Sequence, residues 1–187
     1  MSTPIAIASK HGHIDAVRLL LEHNAIVDGD TLYYNVSLDH IDIVSLKLDY
    51  GVDANMKTTD GYTALYAAAC DNIDMVRLLI KHGADVHAAS DGCPALFRAI
   101  ICGRYDIAQL LLDRGTNINY TDKNGGTILH CIASDDDPMY DRSEMIKWLE
   151  DRGIDISKKD KYGDTAHDIM EERAYLLARR AHTKSGV

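Results

Sequence analysis

The sequence predicts an all-α fold, a solenoid of stacked helix–turn–helix units joined by projecting β-hairpin loops. Three observations carry that expectation. One apolar string recurs five times, as Val17-Arg-Leu-Leu-Leu21, Val44-Ser-Leu-Lys-Leu48, Val76-Arg-Leu-Leu-Ile80, Ala108-Gln-Leu-Leu-Leu112 and Ile146-Lys-Trp-Leu-Glu150. After two intervening residues each string meets a helix stop, Asn24, Gly51, Gly83, Gly115 and Gly153, spaced 27, 32, 32 and 38 residues apart. A second apolar segment precedes each string, and its mean repeat length falls in the window of helical repeats of roughly 33 residues.

The first helix of each unit is read from Thr3-Pro-Ile-Ala-Ile-Ala8, Asp30-Thr-Leu-Tyr-Tyr-Asn35, Thr63-Ala-Leu-Tyr-Ala-Ala68, Pro94-Ala-Leu-Phe-Arg-Ala99 and Thr127-Ile-Leu-His-Cys-Ile132. Thr or Asp opens a helix because its side-chain oxygen accepts a free N–H of the first turn. Pro4 suits the first helical position, where no amide donor is needed. Short breaks follow at Gly12-His13, Asp39-His40, Asp71-Asn72 and Gly103-Arg104, and then the second helix carries the apolar string. The closing Gly takes the left-handed conformation that ends a helix. The segments 84–92, 116–125 and 154–163 are rich in Asp, Asn and Gly, which form turns.

These units resemble the ankyrin repeat, with its T-P-L-H-x-A-A, G-H, I-V-x-L-L-L and G-A-D-V-N segments. The resemblance covers roughly residues 1–173. It divides the chain into repeat 1 (1–28, without an N-terminal cap), a shortened repeat 2 (29–55), repeat 3 (56–88), repeat 4 (89–120), repeat 5 (121–157, with an acidic insertion at 135–143), a C-terminal capping repeat (158–181) and a tail (182–187). Repeat 2 is short at the loop between Asp28 and Asp30, where a stubby or absent hairpin is expected. Lys47 stands in place of a leucine of the string, so either its stem snorkels or that helix is less buried. At the N-terminal edge, Ile5, Ile7, Val17 and Leu20 are expected to face no neighbouring repeat.

Composition limits the function. With 20 Lys+Arg against 29 Asp+Glu, the formal net charge is −9. That argues against nucleic-acid or anionic-membrane binding, which need excess positive charge. No run of 18 apolar residues predicts a membrane span. The four cysteines, Cys70, Cys93, Cys102 and Cys131, form no C-x-x-C pair. They are read as reduced thiols of the cytoplasm or nucleus rather than a disulfide frame. His13, His40 and His130 are read as structural hydrogen-bonders. Lys10-His11-Gly-His13 offers two histidines where a zinc site wants three or four ligands, so no metal, cofactor or catalytic residue is assigned.

The resemblance implies a protein-interaction module whose partner lies on the concave side, against hairpin loops and first helices. Carried onto this sequence, those places are Thr59, Asp60 and Tyr62, then Ser90, Asp91 and Cys93, then Lys123 and Asn124, then Lys161 and Tyr162. The ends of the first helices add Cys70 and Asp71, then Ile101 and Cys102. Tyr62 and Tyr162 are the aromatic anchors, since Tyr is enriched at binding hot spots. The acidic balance favours a protein partner with a basic face, bound by an adaptor or inhibitor. Two alternatives are an enzyme or ligand site around the repeat-5 insertion, with Asp135, Asp137, His130 and Cys131, and a self-associating effector of viral or pathogen type.

Overall fold

The computed structural model describes residues 3–90, 92–134 and 143–174. The chain divides into two compact units, Met1–Thr116 and Asn117–Val187. Unit 1 holds four helix pairs: α1 (Pro4–Lys10) with α2 (Ile14–Glu22), α3 (Gly29–Ser37) with α4 (Ile41–Asp49), α5 (Ala64–Ala68) with α6 (Ile73–Lys81), and α7 (Ala95–Ile101) with α8 (Tyr105–Asp113). A two-residue hairpin, β1 (Ala89–Ser90) and β2 (Cys93–Pro94), precedes α7. Unit 2 holds α9 (Ile128–Ser134), α10 (Ser143–Glu150) and a helix over 166–174. Residues 135–142 and 175–187 fall outside the described part, and with them most of the acidic insertion, the second half of the capping repeat and the tail.

Local chemistry sets the helix ends. Thr3 caps α1 by accepting from Ala6 N, and Thr63 caps α5 by accepting from Tyr66 N. Helix α3 starts earlier than its sequence motif suggests. Its cap is Asp28, which accepts from Thr31 N at 2.8 Å, while Asp30 lies inside the first turn. The connection before α3 is accordingly residues 23–28 alone, with no hairpin. Gly29 permits this, because a Cβ there would come within 2.1 Å of Lys57 O in the following loop. Asn24 ends α2 with φ of 59°, the left-handed role that Gly51, Gly83 and Gly115 play in the later repeats.

The first helices of unit 1 pack in order, α1 on α3, α3 on α5 and α5 on α7, while α2 meets α4 and α6 meets α8. Apolar side chains fill the space between. Ile5 and Val17 are buried against Ile43 and Leu46 of the next repeat, contrary to the expectation that they face an empty edge. Ile7 is half exposed and Leu20 half-buried, and the large apolar side chains most open among the described residues of repeat 1 are Leu19 and Ile26. Leu79, Ile107 and Leu111 are fully buried. Leu78, which the apolar string also offers as core, is only half-buried.

Lys47 neither snorkels nor sits on a loose helix. It is fully buried, at the position where later repeats place Leu79 and Leu111. Its Nζ donates to Asn35 Oδ1 at 2.5 Å. Asn35 in turn occupies the place of Ala68 and Ala99, so a core alanine and a core leucine are both replaced by polar residues in one repeat. Asn35 Nδ2 then donates to Ser9 O at 3.1 Å, and His40 Nδ1 lies 3.0 Å from the same oxygen. Burial pushes the Lys47 ammonium down to about 8, opposed by the charge of Asp28. Hydrogen bonds from Thr31 hold the Asp28 carboxyl below its usual range.

In each unit one loop is tied to the next repeat by an asparagine. Asn55 Nδ2 donates to Gly83 O at 2.9 Å, and Asn55 Oδ1 accepts from Asp85 N at 2.7 Å. Asn119 does the same with Gly153 O and Asp155 N, at 3.3 and 2.7 Å. His130 is a buried structural histidine: its Nδ1 accepts from Thr127 N at 3.1 Å, so Nε2 carries the proton and donates to Asp164 O at 3.1 Å. His13, by contrast, is exposed and stacks only on His11.

The cysteines depart from the sequence reading. Cys70 and Cys102 are joined by a disulfide with Cα atoms 5.3 Å apart, linking repeats 3 and 4. That separation lies in the range a disulfide spans without backbone movement. Cys93 and Cys131 take no part in a disulfide. Sequence spacing missed the pair because the two residues lie 32 apart, and only stacking brings them together.

Candidate interaction face

On the first-helix side of unit 1 three tyrosines form a row. Tyr33 comes from α3, Tyr62 from the loop before α5, and Tyr66 from α5 itself. Ring centroids are 6.2 Å apart for Tyr33–Tyr62 and 5.2 Å for Tyr62–Tyr66. Both separations suit favourable aromatic packing. Arg98 of α7 closes the row, with its guanidinium carbon 5.3 Å from the Tyr66 centroid.

The loop holds Tyr62 in place. Thr58 N donates to Tyr62 O at 2.8 Å, and Tyr62 N donates to Thr58 Oγ1 at 2.9 Å. The tip is anchored by Thr59, whose N and Oγ1 each donate to Asp30 Oδ1 at 3.2 Å. Asp30 therefore spends its carboxylate on this loop rather than on capping α3. Burial pushes the Tyr66 phenol and the Cys93 thiol up, which keeps both groups neutral near pH 7. A protonated, half-buried Cys93 has little nucleophilic character.

Two recesses flank the row. A cleft of about 680 Å³ lies between α1 and α3, lined by Ile7, Lys10, His11 and Tyr34, with Asp28 and Asp30 at its rim. The Lys10 ammonium sits 5.9 Å from the Tyr34 ring centre. A smaller pocket of about 190 Å³ is lined by Tyr33, Ser37, Ala67, Asp71, Met75 and Arg98.

The residues singled out from the sequence separate into several groups. Thr59, Asp60 and Tyr62 share the loop of repeat 3, with Thr59 and Asp60 exposed. Cys70 is committed to its disulfide. Asp71 is exposed and lies 4.0 Å from Arg104. Ile101 is 45% exposed. Ser90 does not belong to this surface: it is fully buried, and its Oγ accepts from Thr63 N at 3.1 Å. Asp91 lies outside the described residues. In unit 2 Lys161 brings two others together, donating to Asn124 Oδ1 at 2.8 Å with its ammonium 4.8 Å from the Tyr162 ring centre. Tyr162 is 74% exposed, and Lys123, the chain neighbour of Asn124, is exposed.

Sequence reasoning missed Tyr33, Tyr66 and Arg98. A signal existed: Tyr33 and Tyr66 occupy the same place in consecutive repeats, the place that His130 fills later. Of the enzyme alternative, Asp135 and Asp137 lie outside the described residues. No group of three potential metal-ligating side chains gathers among the described residues. No described helix is long and apolar enough to cross a membrane.

Family models place this architecture. A model of the ankyrin repeat matches residues 2–32, a three-copy ankyrin model matches 32–122, and a many-copy ankyrin model matches 103–149. The chain belongs to the ankyrin-repeat family. Ankyrin repeats are in general protein–protein interaction modules and typically have no enzymatic activity. No curated protein matches the chain.

Proposed function

We propose that this ankyrin-repeat protein is a non-catalytic adaptor or inhibitor that holds one partner protein on the first-helix face of unit 1. The row Tyr33–Tyr62–Tyr66 closed by Arg98 carries the reading. Tyr and Arg dominate binding hot spots because they combine large contact area with a polar handle. The loop bonds of Thr58 and Thr59 hold Tyr62 before a partner arrives, so little ordering cost remains at binding. The net charge of −9 supports a partner whose outer surface is basic, drawn in by the long-range field. Lys161 and Tyr162 in unit 2 offer a second contact.

The test is capture from cell extract by the whole chain, with Tyr33→Ala/Tyr62→Ala and Tyr162→Ala variants beside the wild type. A partner retained by wild type and lost by the double variant, at unchanged melting temperature, supports the face. Each tyrosine is expected to carry on the order of 2 kcal/mol of binding. Equal retention by the double variant removes the face from consideration, and loss only in Tyr162→Ala moves the site to unit 2.

A further inference from the structure

Resting on that reading, we propose that the pocket beside Arg98 takes a single carboxylate side chain, a Glu or Asp, from an extended segment of the partner. Arg98 is the observation. Its side chain is half-buried, its Nε is buried with no hydrogen-bond partner, and among the described residues it forms no ion pair; its guanidinium lies over the Tyr66 ring. A guanidinium held this far out of water without an anion is costly. Arg104, at the start of α8, shows the contrast, because its fork is occupied by Asp106 at 3.1 Å.

The pocket fits the ligand in size and polarity. About 190 Å³ accommodates one side chain, with Ala67, Ala68, Val36 and Met75 supplying an apolar wall, while the Ser37 hydroxyl is already committed as a donor to Tyr33 O at 3.1 Å. A planar guanidinium matches a carboxylate with two parallel hydrogen bonds. A phosphate carries nearly two negative charges at pH 7, and Asp71 lines the same pocket with a largely exposed carboxylate. One guanidinium facing one carboxylate favours a monoanion. The overall negative charge does not oppose this, since fields between exposed charges are screened beyond about 10 Å. The partner is then basic at its rim and presents one acid at the anchor, beside an apolar or aromatic residue that packs on Tyr33 and Tyr62.

The probe is a phage-displayed library of linear random dodecamers selected on the full chain. The expected outcome is enrichment of peptides with Asp or Glu at one fixed position next to an apolar residue. A synthetic copy of such a peptide should lose at least tenfold in affinity on Arg98→Ala, and equally on Glu→Gln or Asp→Asn in the peptide. The two changes together should cost no more than either alone, a coupling that a merely structural Arg98 would not produce. Selection on Arg98→Glu should enrich Lys or Arg at the same position. Peptides that need Tyr62 but show no acid preference overturn the carboxylate pocket and leave the face standing. Peptides indifferent to both Tyr62→Ala and Arg98→Ala, or no enrichment at all, overturn both.

Discussion

Replacing Lys47 by Leu together with Asn35 by Ala restores in repeat 2 the pattern that repeats 3 and 4 carry at Ala68 and Leu79, and at Ala99 and Leu111. The gain can be worked from the titration of the lysine. Its amine falls from 10.5 in the unfolded chain to about 8 in the folded one, because burial penalises the charge. At 1.36 kcal/mol per unit, that shift amounts to about 3 kcal/mol. Between pH 8 and 10.5 the unfolded chain binds a proton that the folded chain does not, so stability rises with pH across this window. Below pH 8 the lysine is charged in both states, and the folded state carries the whole penalty. The double variant should therefore be more stable than wild type at pH 7, by the 1–4 kcal/mol roughly seen when buried charges give way to packed apolar groups. Its advantage should shrink as pH rises from 8 to 10. Lys47→Leu alone should gain less, since Asn35 Oδ1 then loses its partner at a cost of about 1–3 kcal/mol. Asn35→Ala alone should be the worst of the three, because it strands a buried ammonium. Urea unfolding at pH 7, 8, 9 and 10 measures all of this, and subtraction of the variant from wild type cancels the tyrosines and thiols common to both. A difference that does not move with pH, or a wild type more stable than the double variant at pH 7, would refute the reasoning.

Two further perturbations test the packing. Reduction of Cys70–Cys102 releases a constraint over 32 residues of chain and should cost about 4 kcal/mol by the loop-entropy relation; the measurement is denaturant unfolding with and without reductant, and a Cys70→Ser/Cys102→Ser variant should match the reduced wild type. Four thiols titrating in the native, unreduced protein would contradict the bond. Leu79→Ala should cost roughly 2–5 kcal/mol as a core truncation, and Leu78→Ala clearly less, because Leu79 is fully buried and Leu78 is not; equal losses on thermal unfolding would mean that the helix phase is wrong.

Much of the fold was legible because its signals are local and repeated. A capping Thr, an apolar string and a closing Gly fall within about twenty residues of chain, as from Thr63 to Gly83, so most helices of unit 1 could be placed from one repeat's own residues. The exceptions are instructive. Helix α3 starts at Gly29 because Asp28 reaches Thr31 N, while Asp30, the expected opener, is drawn to Thr59 in another repeat. Ser90 looked like a loop-tip contact and is instead the acceptor for Thr63 N, again across a repeat boundary.

The candidate face was only partly legible for the same reason. Tyr62 was visible as an exposed loop tyrosine, whereas its partners Tyr33 and Arg98 stand 29 residues before it and 36 after it. The sequence by itself determined the family, the order of the helices in unit 1, and the acidic balance, since these follow from periodicity and composition. Only the tertiary structure decided that Lys47 meets Asn35, that Cys70 meets Cys102, and that Arg98 stands over Tyr66 at the end of the tyrosine row with no anion among the described residues. Those outcomes depend on how one repeat stacks on the next, and stacking is set by loop lengths and core volumes spread over some thirty residues rather than by any single motif.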